Sequence, residues 1–261
     1  MSVAKLSVEI GVPGPARQLI WDSFFVKERR GVAFEDHLPW YANPDTRSVI
    51  VHSSLDDIVG AAIIRPARQM GVAMIGFVCV DKLKRGQGYG RDLVAAVNVV
   101  VRELGYHTAL LWTGLPSVYH RSGYDQIGQD IFLKVKERSG GQPVGLPITV
   151  EPWPGYSDQE GLPAFALSAR RLRSNRGEAI VAEGPRGITL IDWQGAPEDI
   201  VKTMSAAGYR SWGVNIPSGS KFLEALPTDQ FVTEATKGPV AMAYRSDVTV
   251  AIEHVPVAHR I

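Results

Sequence analysis

The apolar run "VAMIGFVCV" (72–80) passes through "DKLKRGQGYGR" (81–91) into "DLVAAVNVVVREL" (92–104), in which Leu93, Val97, Val100 and Leu104 fall on one stripe. The first run has the length and branched side chains of a strand, and the last has the periodicity of a helix. A strand that turns into a helix through alternate glycines, beside Arg85 and Arg91, builds an anion site. Unpaired backbone N–H groups and the positive end of the helix dipole meet there, and missing Cβ atoms let a phosphate approach the backbone. Arg85 and Arg91 would add charge-assisted hydrogen bonds.

Spacing removes two phosphate-binding loops. A dinucleotide fingerprint needs G-x-G-x-x-G, but the sixth position is Arg91 counted from Gly86 and Leu93 counted from Gly88. A Walker A loop needs a second glycine followed by Lys, where this chain has Arg91 and Asp92. What remains is Arg85, two residues, Gly88, one residue, Gly90, at the opening of a long amphipathic helix.

The flanking sequence predicts alternating elements. "PARQLIWDSFFVKERRG" reads as a helix, "SVIVHSS" and "IVGAAIIRPA" as a hairpin, "HTALLWT" as a strand and "DIFLKVK" as a further strand. Between the last two, "LPSVYHRSGY" reads as a short helix with Ser117 as cap and Gly123 as terminator.

At this point the chain resembles the GCN5-related N-acetyltransferase (GNAT) superfamily, whose acyl-CoA signature [RQ]-x-x-G-x-[GA] follows a strand. The matching stretch is "VCVDKLKRGQGYG", and the order of elements from about residue 5 to 137 fits as well. The resemblance implies an α/β acyl-CoA N-acyltransferase fold with a mixed, mostly antiparallel twisted sheet flanked by helices. It implies that the strand end Val78, Cys79 and Val80 pairs with pantetheine like an added strand. Arg85, Gly86, Gln87, Gly88, Tyr89, Gly90 and Arg91 would then cradle the pyrophosphate of acetyl-CoA or another acyl-CoA.

Acyl transfer to an amine needs a neutral amine and a proton for the leaving thiolate. The family supplies that proton from a tyrosine on the short helix, and Tyr119, four residues before Gly123, holds the position. A phenol with a pKa near 10 suits a thiolate of comparable basicity. Many relatives carry a glutamate base on the cofactor strand, but "VAMIGFVCV" has no ionisable side chain except Cys79. The segment "FEDHLPWYANPD", where this fold builds its acceptor pocket, gathers Glu35, Asp36, His37, Trp40 and Tyr41. His37 is the candidate base; Glu35 and Asp36 would hold a cationic amine, and Trp40 and Tyr41 would line a flat acceptor. Without a base, the amine loses its proton to water.

Composition bounds the alternatives. Twenty-eight Lys and Arg against 27 Asp and Glu, with no long run of either sign, advertise no nucleic-acid or membrane partner. No apolar run approaches a bilayer span and the start lacks a signal-peptide pattern, so a cytoplasmic protein, monomer or homodimer, is expected. No His, Cys and acid cluster has metal-ligand spacing. The single cysteine, Cys79, sits in an apolar run and is expected to be a small buried side chain.

From Glu137 to Gly161 the chain is rich in Gly and Pro, and 141–161 is expected to be a linker between a catalytic domain at 1–140 and a smaller α/β domain at 162–261. "ELGYHTALLWTGLPSVYHRSGYDQIG" and "AAGYRSWGVNIPSGSKFLEALPTDQF" share the order helix, Gly-Tyr, strand, Pro-Ser, short helix, strand. The second half then reads as a degenerate partial copy. "DWQGAPED" lacks the glycine loop, and its acids at a helix start repel a pyrophosphate. The tail "VTVAIEHVPVAHRI" is expected to form a late strand. Together these readings predict an N-acetyltransferase acting on a small soluble amine, an amino sugar being the sharper form of it. The rival is a catalytically silent acyl-CoA sensor.

Overall fold

The computed structural model describes residues 5–26, 32–53, 55–138, 145–153, 161–245, 251–252 and 254–261. Its contacts divide the chain into two units, one of residues 1–128, 240–254 and 260–261, the other of 129–239 and 255–259.

In the first unit, β1 (Lys5–Ile10), β2 (Arg47–His52), β3 (Ile58–Pro66) and β4 (Val72–Val80) pair in sequence order, all antiparallel. β5 (Thr108–Thr113) joins β4 in parallel, and residues 240–245 of β12 (Phe231–Arg245) pair antiparallel with β5. β4 turns into α3 (Tyr89–Glu103), whose Leu93, Val94, Val97 and Val101 pack on Val49, Ile64, Ile75 and Leu111. Each such side chain taken out of water contributes roughly 1.5–3 kcal/mol, so this stripe fixes where the start of α3 lies. Gly105, at φ +81°, ends the helix, and the Tyr106 N–H returns to the Val101 carbonyl. On the other face lie α1 (Gly14–Trp21), a π turn (Asp22–Val26) and α2 (Phe34–His37).

The second unit contains β6 (Asp125–Glu137) from residue 129, β7 (Thr149–Trp153), β8 (Ser168–Arg173), β9 (Glu178–Gly184), β10 (Gly187–Gln194) and β11 (Ser211–Pro217). Neighbours run β6, β11, β10, β9, β8, β7, with only β10 and β11 parallel. α5 (Pro197–Ala206) lays Ile200 and Met204 on Leu190, Val214 and Phe222. Gly208, at φ +85°, ends α5 and is followed by a Tyr209 N–H bond to Met204, the same device as at Gly105. Both units thus share the helix, Gly-Tyr stop and strand of the internal repeat, and in both that strand runs parallel to its predecessor.

The mixed, mostly antiparallel sheet agrees with the expected fold class. Three local readings differ. The cap of α4 (Pro116–His120) is Leu115, not Ser117; Pro116 opens the helix with its fixed φ and the Leu115 N–H is met by Thr113 Oγ1 at 2.9 Å. The first helix stops at Trp21 and continues as a π turn to Val26; positions 27–31 lie outside the described residues. The tail carries no strand in its described part: residues 257–259 form a 3-10 turn, and 246–250 and 253 lie outside it.

Candidate active site

β4 and β5 are hydrogen-bonded neighbours only from Val72 with Thr108 to Met74 with Leu110. Beyond that point β4 continues to Val80 on β3 alone, with a shift in register between Ala61 and Ile63 that leaves Phe77 at φ +49°. A β-bulge increases local twist and turns a strand away from its neighbour. The two parallel strands therefore part, and residues 76–80 present a backbone edge that β5 does not pair.

The glycine loop begins where that edge ends. Asp81 caps a 3-10 turn at Lys82–Lys84 by accepting the Leu83 N–H at 2.8 Å. Arg85 Nε donates to the Val80 carbonyl at 3.1 Å, folding its side chain back to the strand end. Gly88, at φ +92°, is the N-cap of α3. A Cβ built on Gly86 would meet nothing within 4 Å, and one on Gly88 only an Arg91 terminal nitrogen at 3.8 Å. The space over these backbones is open, and it adjoins the N–H groups of a 15-residue helix. Arg91 is paired with Asp92 at 3.1 Å on the first turn. These features fit a bound pyrophosphate: a cradle without side chains, with Arg85 and Arg91 at its rim.

Cys79 is buried, as expected. Burial pushes its thiol up to about 11 although the Ser23 hydroxyl is bonded to it, so it is no thiolate near neutrality.

Tyr119 stands on α4 and packs on the core beneath α3. Burial holds its phenol above the ordinary value, so it keeps its proton at neutral pH. Its ring meets that of Tyr124 edge-on at 5.7 Å. Tyr124 is 1% exposed and belongs to the core.

The acceptor segment is less open than its composition suggests. His37 is buried; its Nε2 accepts the Val32 N–H at 3.1 Å and its ring lies 4.8 Å from that of Phe25. Trp40 is buried beneath the Arg65 guanidinium at 4.2 Å. Tyr41 is half-buried with Arg17 over its ring at 4.8 Å, and Glu35, exposed, receives the same Arg17 at 3.4 Å. Asp36 is exposed. Phe24 meets Phe77 edge-on at 5.2 Å, which places an aromatic pair at the bulge.

In the second unit the corresponding loop is closed. A Cβ on Gly195 would lie 2.9 Å from the Arg176 carbonyl, and Arg176 is bonded to Asp199 at 3.3 Å on the first turn of α5. His259 and Asp192 form a pair at 2.8 Å, both largely buried. Among the described residues there is no group of three or more His, Cys, Asp or Glu that could hold a metal ion, and no helix long and apolar enough to cross a membrane.

A parted pair of parallel strands, a glycine loop opening a helix and a tyrosine on the following short helix define the acyl-CoA N-acyltransferase fold. Residues 15–124 match the acetyltransferase (GNAT) family model. Among solved structures the chain is similar to a GCN5-related N-acetyltransferase from Anabaena variabilis, at 14% identity and a TM-score of 0.63 over 92% of this chain and 72% of that one. It is similar to one from Kribbella flavida at 13% identity and 0.58, over 92% and 71%. A tandem GNAT protein from the clavulanic acid biosynthesis pathway is 11% identical with a TM-score of 0.58, over 94% of this chain and 100% of that one. No curated protein matches the sequence.

Proposed function

We propose that the protein transfers an acetyl or other short acyl group from coenzyme A to the amine of a small soluble acceptor, an amino sugar being the sharpest form of this reading. The observation that carries it is the open glycine cradle at Gly86 and Gly88, placed at the end of the unpaired β4 edge. Coenzyme A supplies the activated acyl group. Val78 and Val80 would hold its pantetheine through the backbone, while Arg85 to Arg91 would receive the pyrophosphate. Tyr119, protonated because it is buried, gives its proton to the departing sulfur.

In this reading the amine gives up its own proton to water. His37 Nε2 already receives the Val32 N–H, so the imidazole shapes the loop that carries Glu35 and Asp36. Those two carboxylates draw a cationic amine to the site. In this reading the first unit, its sheet completed by residues 240–245, is catalytic and the second is a degenerate copy without a cofactor loop, the protein working in the cytoplasm without a metal.

Calorimetric titration with acetyl-CoA, beside a variant with Gly88→Glu and Gly90→Glu, tests the assignment. Binding in the wild type and its loss in the variant support it; a folded wild type that binds no acetyl-CoA refutes it. The silent-sensor reading is favoured only if binding is intact and no amine in a broad screen is acylated.

A further inference from the structure

The last two residues described, Arg260 and Ile261, belong to the first unit, although the chain just before them does not. Ile261 lies against Gly76 so closely that a Cβ on that glycine would stand 2.6 Å from Ile261 Cγ1. The Arg260 guanidinium sits over the Trp112 ring at 4.2 Å. Gly76 is two residues beyond Met74 on β4, and Trp112 two beyond Leu110 on β5, the last paired positions of the two strands. Arg260 and Ile261 therefore touch both arms of the fork just past its apex.

We infer that Ile261 is a specificity-determining residue that limits the length of the acyl chain the fork admits. This rests on the acyl-CoA reading proposed above. With the pyrophosphate at Gly88, an extended pantetheine arm runs back along β4 from Val80 toward Gly76, about 13 Å at roughly 3.3 Å per residue. The acyl end then arrives at the apex, where the branched side chain of Ile261 stands. A two-carbon acyl group stops short of it, whereas a longer chain would have to displace it. Glycine at position 76 is what lets Ile261 come so near: any larger residue would occupy the same volume.

The test is calorimetric titration of the full chain with acetyl-CoA and hexanoyl-CoA, which needs no acceptor. The wild type is expected to prefer acetyl-CoA. Ile261→Ala should reduce that preference about tenfold, the worth of roughly two buried methylenes, and Ile261→Phe should sharpen it. Arg260→Ala, which frees the segment from Trp112, should act in the same direction as Ile261→Ala. Acetyl-CoA affinity, retained in all variants, shows that each is folded. An unchanged ratio in all three variants, with acetyl-CoA still bound, overturns the inference alone. A wild type that binds neither ligand overturns it together with the reading of the site.

Discussion

Met74 and Leu110 are the last residues at which β4 and β5 pair, and Val80, six residues further along β4, still pairs with Gly60 on β3. One strand thus keeps one neighbour while leaving the other. That asymmetry leaves an unpaired backbone edge on a strand that would otherwise be covered on both sides.

Gly88 and Gly105 bracket α3 with similar backbone angles, φ +92° and +81°, and both have open space where a Cβ would point. Alanine at either should cost about 1–2 kcal/mol, because a Cβ strains the left-handed region. Chemical denaturation should show similar losses for Gly88→Ala and Gly105→Ala. Calorimetry should separate them: only Gly88→Ala should weaken acetyl-CoA, by tenfold or more.

Tyr119→Phe should lower kcat on an acylated amine by about 10²–10⁴ while leaving the acetyl-CoA Kd within about threefold. Because burial raises this phenol, the active protonated form persists past the ordinary value near 10. Its contribution to the pH profile should therefore be an alkaline fall displaced upward from that of an ordinary phenol. A fall at lower pH that vanishes in Tyr119→Phe would contradict the direction of that shift.

The Tyr124 hydroxyl is buried and has no hydrogen-bond partner among the described residues. Burial first, then the phenols of Tyr119 and Tyr244, raise its pKa. With the folded value above the unfolded one near 10, the stability this group contributes is complete below about pH 10 and declines as pH rises further. Tyr124→Phe should raise stability at neutral pH by about 1 kcal/mol, since an unsatisfied hydroxyl is removed. It should also flatten the alkaline decline, as read by thermal unfolding at neutral pH and above pH 10.

His37→Gln should cost about 1–2 kcal/mol of stability, from the lost Val32 contact and the ring packing on Phe25. The acidic limb of the pH profile of kcat/KM should not move. If that limb disappears in the variant while folding is intact, the imidazole does carry the proton.

A chain ended at residue 140 keeps β1 to β6 but loses residues 240–245, the antiparallel partner of β5. It should leave an exposed sheet edge and elute as aggregate in size-exclusion chromatography. A monomeric fragment that binds acetyl-CoA would show that β6 can take that place beside β5.

What the sequence made legible was local. The strand, glycine loop and α3 were readable because apolar spacing and the Arg85, Gly88, Gly90 pattern lie within one short stretch. The repeated Gly-Tyr stops at 105 and 208 also showed through. β1 did not, because its apolar residues Leu6, Val8 and Ile10 point away from the core and are 43%, 49% and 68% exposed. The fork was hidden as well, since it depends on where β4 and β5 cease to pair, and no residue type marks that point. The burial of His37 and Trp40 follows from aromatic and cationic neighbours at Phe25 and Arg65, which composition alone could not bring together.

The strand that pairs with β5 is β12, whereas β6, the next strand after β5 in the chain, pairs with β11. During synthesis, β5 leaves the ribosome long before residues 240–245 exist. At roughly 5–20 residues per second the interval is on the order of ten seconds. Through that time this sheet edge of the first unit is uncovered, and the nascent chain cannot complete that unit until residues 240–245 have been made. Translation speed and holding chaperones, as well as the sequence itself, therefore bear on how much of this protein reaches its native state.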